Sequence, residues 1–123
     1  MTRIIPVMRV FDYAKTIEFY MDWLGFTKEW EYYPENCPFY MRVSIRGIAL
    51  DLSEHHGECA PGARVTIEGF EGLEAYHQQL LAKNYRYMKP GLERPEWPAN
   101  SLEVMVIDPF FNRIYFNESQ LHM

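Results

Sequence analysis

Apolar and polar residues alternate over residues 3–10, with Ile4, Pro6, Met8 and Val10 on one face and Ile5, Val7 and Arg9 on the other. A period of two is the mark of a β-strand. Pro6 has no N–H to give to a ladder, so this strand is expected at a sheet edge. The period then changes: Ile17, Tyr20, Met21 and Leu24 recur at helical spacing between Asp12, suited to an N-cap, and Gly25, suited to a left-handed stop. Strand-like runs follow at about 26–33, 38–46 and 48–53, and Arg46-Gly47 marks a tight turn between the last two.

The second half repeats that order. Val65 and Ile67 alternate with Thr66 and Glu68 over 64–69. A helix is predicted from about Glu71 to Lys83, with Leu73, Tyr76, Leu80 and Leu81 as its apolar stripe and Asn84 at the stop. Strands fit Tyr85–Lys89, Leu102–Asp108 and Arg113–Asn117, with a loop holding Pro90, Pro95 and Pro98 between the first two. The pairs Met8/Ile67, Phe11/Phe70, Met21/Leu80 and Gly25/Asn84 are each 59 residues apart. The pattern therefore predicts an α+β chain that runs β-α-β-β-β twice, with Gly57–Gly62 as the joint. Module one covers about 1–57 and module two about 62–118, within one domain spanning 1–123.

Composition and charge narrow the partners. The net charge of −5 argues against nucleic acid, which needs a basic footprint. The longest unbroken apolar run, Val104–Ile107, is far short of the roughly 20 residues a membrane span requires. Arg3 leads at once into strand-like sequence without an apolar leader, so a cytoplasmic protein is expected. Cys37 and Cys59 form no CxxC pair and read as ordinary thiols. Aromatic content is the anomaly: nine Tyr, eight Phe and three Trp make 16% of the chain, beyond what two helix stripes absorb. Trp30, Tyr32, Tyr33, Phe39 and Tyr40 gather in one hairpin, and the run Trp30–Tyr33 presents rings on both faces of its strand.

Three stretches carry a family likeness: Ile5–Asp12, then Phe19-Tyr20 with Leu24-Gly25-Phe26, then Asp108–Arg113. They resemble the vicinal oxygen chelate superfamily, which holds the glyoxalase, bleomycin-resistance and extradiol-dioxygenase fold. Leu52–Gly57 and the loop containing Trp97 resemble the bleomycin-resistance branch. The resemblance implies a curved mixed sheet around a groove, and a homodimer that binds an antibiotic in crevices between subunits. One departure stands out: Phe111 occupies a turn position where the family has Gly. A Phe with positive φ is costly, so a different turn is expected there.

Superfamily enzymes hold a divalent ion with His, Gln and Glu side chains. Carried over residue by residue, those positions fall on Ile5, Asp51, Arg64 (or Val65 in a shifted register) and Tyr115. Only Asp51 can ligate, and a site needs three or four convergent donors, so no metal and no cofactor are expected. His55 and His56 are adjacent at a strand end and point to opposite faces, so they cannot chelate one ion together. They either belong to a hydrogen-bonded strand-end loop or put one ring into the groove. No nucleophile with an orienting base is evident, although a carboxylate and a His suffice for acid–base chemistry.

Strand alternation assigns Ala49, Asp51 and Ser53, and Tyr40, Arg42 and Ser44, to the groove, along with Arg9, Thr66, Glu68, Glu103, Arg113 and Tyr115. Two uses of this lining stay open. Arg9, Arg42 and Arg64 pair with Asp51, Glu68 and Glu103 as structural ion pairs, or the same groups orient a polar ligand against aromatic rings. The expected ligand-binding residues are Trp30, Tyr40, Arg42, Asp51, His55, Trp97, Glu103 and Tyr115. The expected function is metal-free binding of a polar aromatic, antibiotic-like molecule. The alternatives are a lyase or isomerase of the same fold with a non-standard site, and a dimeric interaction protein with no ligand.

Overall fold

The structure, a computed structural model, describes residues 2–121. The chain divides into two compact units, Met1–Ala63 with Asp108–Asn112, and Arg64–Ile107 with Arg113–Met123.

The first unit is a four-stranded sheet built from β1 (Val7–Arg9), β2 (Thr27–Tyr32), β3 (Tyr40–Ile45) and β4 (Ile48–Ser53) in the order β1-β4-β3-β2. β1 pairs in parallel with β4, and the other pairs are antiparallel. β1 is shorter than its alternation suggested, and it does lie at an edge. The Pro6 carbonyl accepts from the Asp51 N–H at 2.9 Å, so proline contributes its acceptor where it has no donor. Arg46 and Gly47 both take positive φ in the β3–β4 turn, as a two-residue hairpin connection requires.

Helix α1 (Tyr13–Thr16) is capped by Asp12, whose carboxylate accepts from Ala14 N at 3.0 Å and Lys15 N at 3.4 Å. It continues as a π-helical stretch over Ile17–Trp23, closed where Leu24 N donates to Phe19 O and Gly25 turns left-handed. The buried stripe differs from the predicted one. Thr16, Phe19, Tyr20, Trp23 and Leu24 are buried, whereas Ile17 and Met21 are only half-buried. Two large rings, Phe19 and Trp23, hide more apolar area than Ile17 and Met21, and they set the rotation of the helix.

The second unit repeats the plan with one strand reduced. β5 (Arg64–Ile67) pairs in parallel with β7 (Arg113–Ser119), and β6 (Ser101–Ile107) pairs antiparallel with β7. The 59-residue offset carries Val7 onto Thr66, and their register partners are Asp51 and Tyr115, so those two positions are equivalent. The predicted strand Tyr85–Lys89 does not form. Its place in the strand order is held by an isolated bridge between Glu93 and Glu103, because Pro90 and Pro95 break the ladder on either side of it. The result is a βαβββ-like module whose β2 counterpart is one residue pair long.

Helix α2 (Leu73–Ala82) buries Leu73, Tyr76, His77 and Leu80. Leu81, placed in the stripe from sequence, is 38% exposed, and His77 takes the buried position instead. The His77 ring reaches the Pro90 carbonyl at 2.7 Å, which ties the proline-rich loop to the helix. Asn84 ends the helix at positive φ, as Gly25 does in the first unit.

The turn Asp108–Asn112 packs in the first unit around one carboxylate. Asp108 accepts from Tyr20 Oη at 2.7 Å and from Phe110 N, Asn112 N and Asn112 Nδ2, each at 2.8 Å. These bonds hold Phe111 at φ 71° despite its side chain. The different turn expected for Phe is therefore not adopted. The ring is 75% exposed, and the strain is local and overruled by its neighbours.

Candidate functional site

Cross-strand register places Trp30 beside Arg42, Tyr32 beside Tyr40, and Arg42 beside Asp51. Successive strands thus bring Trp30, Tyr32, Tyr40, Arg42 and Asp51 to one face of the first unit's sheet, opposite the face that buries Met41, Val43, Leu50 and Leu52. A bulge at Glu29 shifts β2 by one residue and puts both aromatic side chains on this face.

Asp51 is buried and fully engaged. Arg42 donates Nε to its Oδ1 at 2.7 Å and Nη2 to its Oδ2 at 3.1 Å, a bidentate pair, and the Tyr40 hydroxyl donates to Oδ2. Burial, reinforced by the hydrogen bond to Asp51, pushes the Tyr40 phenol well above its ordinary value. It stays protonated and donating at any physiological pH. The Arg42 guanidinium also lies 5.1 Å from the Trp30 ring centre, and the Trp30 and Tyr40 rings run near-parallel at 5.7 Å. Trp30 remains 43% exposed. The assembly is a locked ion pair roofed by an accessible aromatic platform.

This arrangement also bears on metal binding. Among the described residues, no group of three or more His, Cys, Asp and Glu is placed to hold an ion. The cation beside Asp51 is the protein's own guanidinium, and the equivalent position in the second unit is Tyr115, a ring with Arg64 at 4.1 Å from its centre. Neither carboxylate–arginine nor tyrosine–arginine is a donor set for a divalent ion.

The other predicted residues distribute as follows. His55 donates its main-chain N–H to Ser53 Oγ at 3.1 Å, and its ring Nε2 is buried without a hydrogen-bond partner. Glu58, marked by no motif or spacing, accepts from the Ser53 hydroxyl. In the second unit, Tyr115 lies beside Arg64, Glu103 bridges to Glu93, and Trp97 sits 84% exposed in its loop. Of the pairings expected between Arg9, Arg42 and Arg64 and the carboxylates of Asp51, Glu68 and Glu103, Arg42–Asp51 forms. Arg9 instead donates to the carbonyls of Val10 and Ser53 and covers the Phe11 ring, and Arg64 turns to Tyr115. Both arginines find polarisable partners near at hand, which removes the need for a distant carboxylate. Tyr32, which the sequence placed in the aromatic hairpin but not among the binding residues, is exposed beside Tyr40 on the same face.

A family model for glyoxalase superfamily proteins matches residues 1–122. The chain belongs to the glyoxalase superfamily. Solved structures of this superfamily's fold are close in shape and distant in sequence. A bleomycin resistance determinant encoded on the transposon Tn5 superposes with TM-score 0.72 at 16% identity, over 98% of this chain and 100% of that one. A bleomycin-binding protein in complex with bleomycin gives TM-score 0.70 at 16% identity, over 97% and 99%. TnmS3, an antibiotic binding protein from Streptomyces sp. CB03234, gives 0.71 at 17% identity, over 97% of each chain. At these identities the likeness establishes the shared vicinal oxygen chelate fold. No curated protein sequence matches the chain. No helix among the described residues is long and apolar enough to cross a membrane.

Proposed function

We propose that this member of the glyoxalase superfamily is a small-molecule-binding protein that sequesters a polar aromatic, antibiotic-like compound without metal and without turnover. The observation that carries the reading is the Trp30–Tyr40–Arg42–Asp51 assembly. Its acidic group has both oxygens hydrogen-bonded by internal donors, while an aromatic ring stays open beside it. Three proteins of the same fold at 16–17% identity are described as bleomycin resistance, bleomycin-binding and antibiotic binding proteins, which supports the ligand class. On this reading the ligand lies in a crevice formed with a second subunit, and His55, Trp97, Glu103 and Tyr115 add contacts to it.

The test is a thermal-shift screen of the purified protein against bleomycin-type glycopeptides and other aromatic antibiotics, with light scattering for mass. A true ligand at about 100 times its Kd stabilises the native state by roughly 2.7 kcal/mol. A dimer has twice the 14.7 kDa subunit mass. A flat response across the panel overturns the binding reading in favour of an interaction protein. One equivalent of bound metal per subunit overturns the metal-free reading in favour of a lyase or isomerase.

A further inference from the structure

We propose that the apolar patch around Phe111 is the surface on which a second copy of this chain docks, with the Phe111 ring as its anchor. The inference rests on the part of the binding reading that calls for a second subunit, and it names the surface that holds that subunit. Phe111 stands at φ 71°, a conformation that glycine takes freely and a β-carbon makes costly. Its ring is 75% exposed, so packing within the subunit returns little for that cost. Strain kept where a simpler residue would fold better points to an interaction outside the subunit. The bonds gathered by Asp108 fix the turn, so the ring is presented to a partner with little left to order on contact.

The patch is wider than one ring and lies wholly in the first unit. Phe11 is 51% exposed and meets Phe110, the neighbour of Phe111, with ring centres 5.9 Å apart. Pro109 is exposed on the same turn. The Ala63 N–H donates to Asn112 Oδ1, which ties the exposed pair Ala60-Pro61 to that turn. None of these exposed residues is charged, and Asp12 and Asp108, beside them in the chain, accept from backbone N–H groups. Two features make a second copy the occupant. At −5 each, two chains repel over most of their surfaces, and an uncharged patch is where they can approach. A two-fold contact must also be self-complementary. This patch holds both a projecting ring, Phe111, and a receiving one, Phe11, which Arg9 steadies from 4.5 Å. Phe111 of each copy set against Phe11 of the other satisfies the symmetry. The patch is small, so the pair is weak, with a Kd on the order of tens of micromolar.

The experiment is sedimentation equilibrium of the intact chain from about 1 to 500 µM, with reductant present because Cys37 is exposed. The wild type is expected to pass from monomer to dimer over that range. Phe111→Gly is expected to raise the dimer Kd at least about tenfold, because a two-fold contact loses the ring twice. Phe11→Ser removes the receiving ring and is expected to weaken association likewise. Phe111→Tyr keeps the ring and is expected to stay within about twofold of wild type. Tyr87→Ala removes a similarly exposed ring outside the patch and is expected to change nothing. Denaturation at about 1 µM, where the pair is apart, reads the lone subunit. Phe111→Gly is expected to be no less stable there, which separates lost association from lost fold. Unchanged association of either Phe111→Gly or Phe11→Ser, or equal weakening by Tyr87→Ala, overturns the proposal and leaves the binding reading intact. A wild type that stays monomeric throughout overturns the proposal together with the two-subunit crevice, while the ligand screen still decides binding by one subunit.

Discussion

Asn112 donates its Nδ2 to the main-chain carbonyl of Arg9 at 2.8 Å, across 103 residues of sequence. The same side chain gives a second Nδ2 bond to Asp108 at 2.8 Å and accepts from Ala63 N at 3.0 Å through Oδ1. One buried amide therefore satisfies three groups from separate parts of the first unit, and no smaller residue reaches them.

Asn112→Ala leaves the Arg9 carbonyl and the Ala63 N–H without those partners and takes one donor from the Asp108 carboxylate. Buried polar groups stripped of partners cost about 1–3 kcal/mol each, so a total loss of about 3 kcal/mol is expected. Thermal denaturation should show a Tm lower by about 10 °C. A drop of only a degree or two would mean that water replaces the amide and that the turn is not anchored as described.

Phe111 makes the opposite prediction. Its left-handed φ of 71° is held by the Asp108 bonds, while its ring is mostly in solvent. Phe111→Gly removes the clash of Cβ with the backbone, and the relief of about 1–2 kcal/mol exceeds the added unfolded-state entropy of Gly. A net gain of about 0.5–1 kcal/mol in chemical denaturation, with an unchanged m-value, is expected. A destabilised variant would show that the exposed ring makes a contact worth more than the strain.

His77 gives a test of the proline-rich loop. Its ring bonds the Pro90 carbonyl from within α2. His77→Leu keeps the volume and drops the bond, so amide exchange in residues 91–100 is expected to quicken while the exchange of β6 and β7 is unchanged. Uniform acceleration across the second unit would place His77 in the general core rather than at the loop.

These elements also separate what the chain's pattern disclosed from what it concealed. The β-α-β-β-β order of the first half, both left-handed helix stops and the Asp12 cap follow from local spacing and local chemistry, and all of them are found, whereas the second half keeps that order with one strand cut to a single bridge. The face shared by Tyr40, Arg42 and Asp51 follows from period-two alternation and is found as well. The failures arise where a competing packing choice decides. Phe19 and Trp23 turn the first helix because ring size outweighs the helical spacing of Ile17 and Met21. The run Tyr85–Lys89 has strand-like residues, but the prolines after it deny it a ladder. The Phe111 turn was expected to change because the penalty at one residue is visible in sequence, whereas the four donors that Asp108 gathers to offset it are brought together only by the fold.

Alkaline pH tests the Tyr40–Asp51 bond directly. Burial, and after it the adjacent carboxylates, raise the phenols of Tyr20 and Tyr40 above the ordinary tyrosine value near 10. An acid whose folded pKa is raised keeps its proton in the native state after the unfolded chain has lost it. The native state then binds more protons, and stability falls as pH rises above about 10 toward the folded value. Below that point the contribution is fully present. Denaturant unfolding at intervals from pH 8 to about 11 should therefore show a flat region followed by a decline. Tyr40→Phe is expected to lower stability at pH 8, because Asp51 loses a donor, and to make the alkaline decline shallower, because one titrating group is gone. The two effects have different signatures, one an offset and the other a slope. An offset without a change in slope would mean that Tyr40 ionises normally in the folded protein, and the absence of both would mean that its hydroxyl is not committed to Asp51.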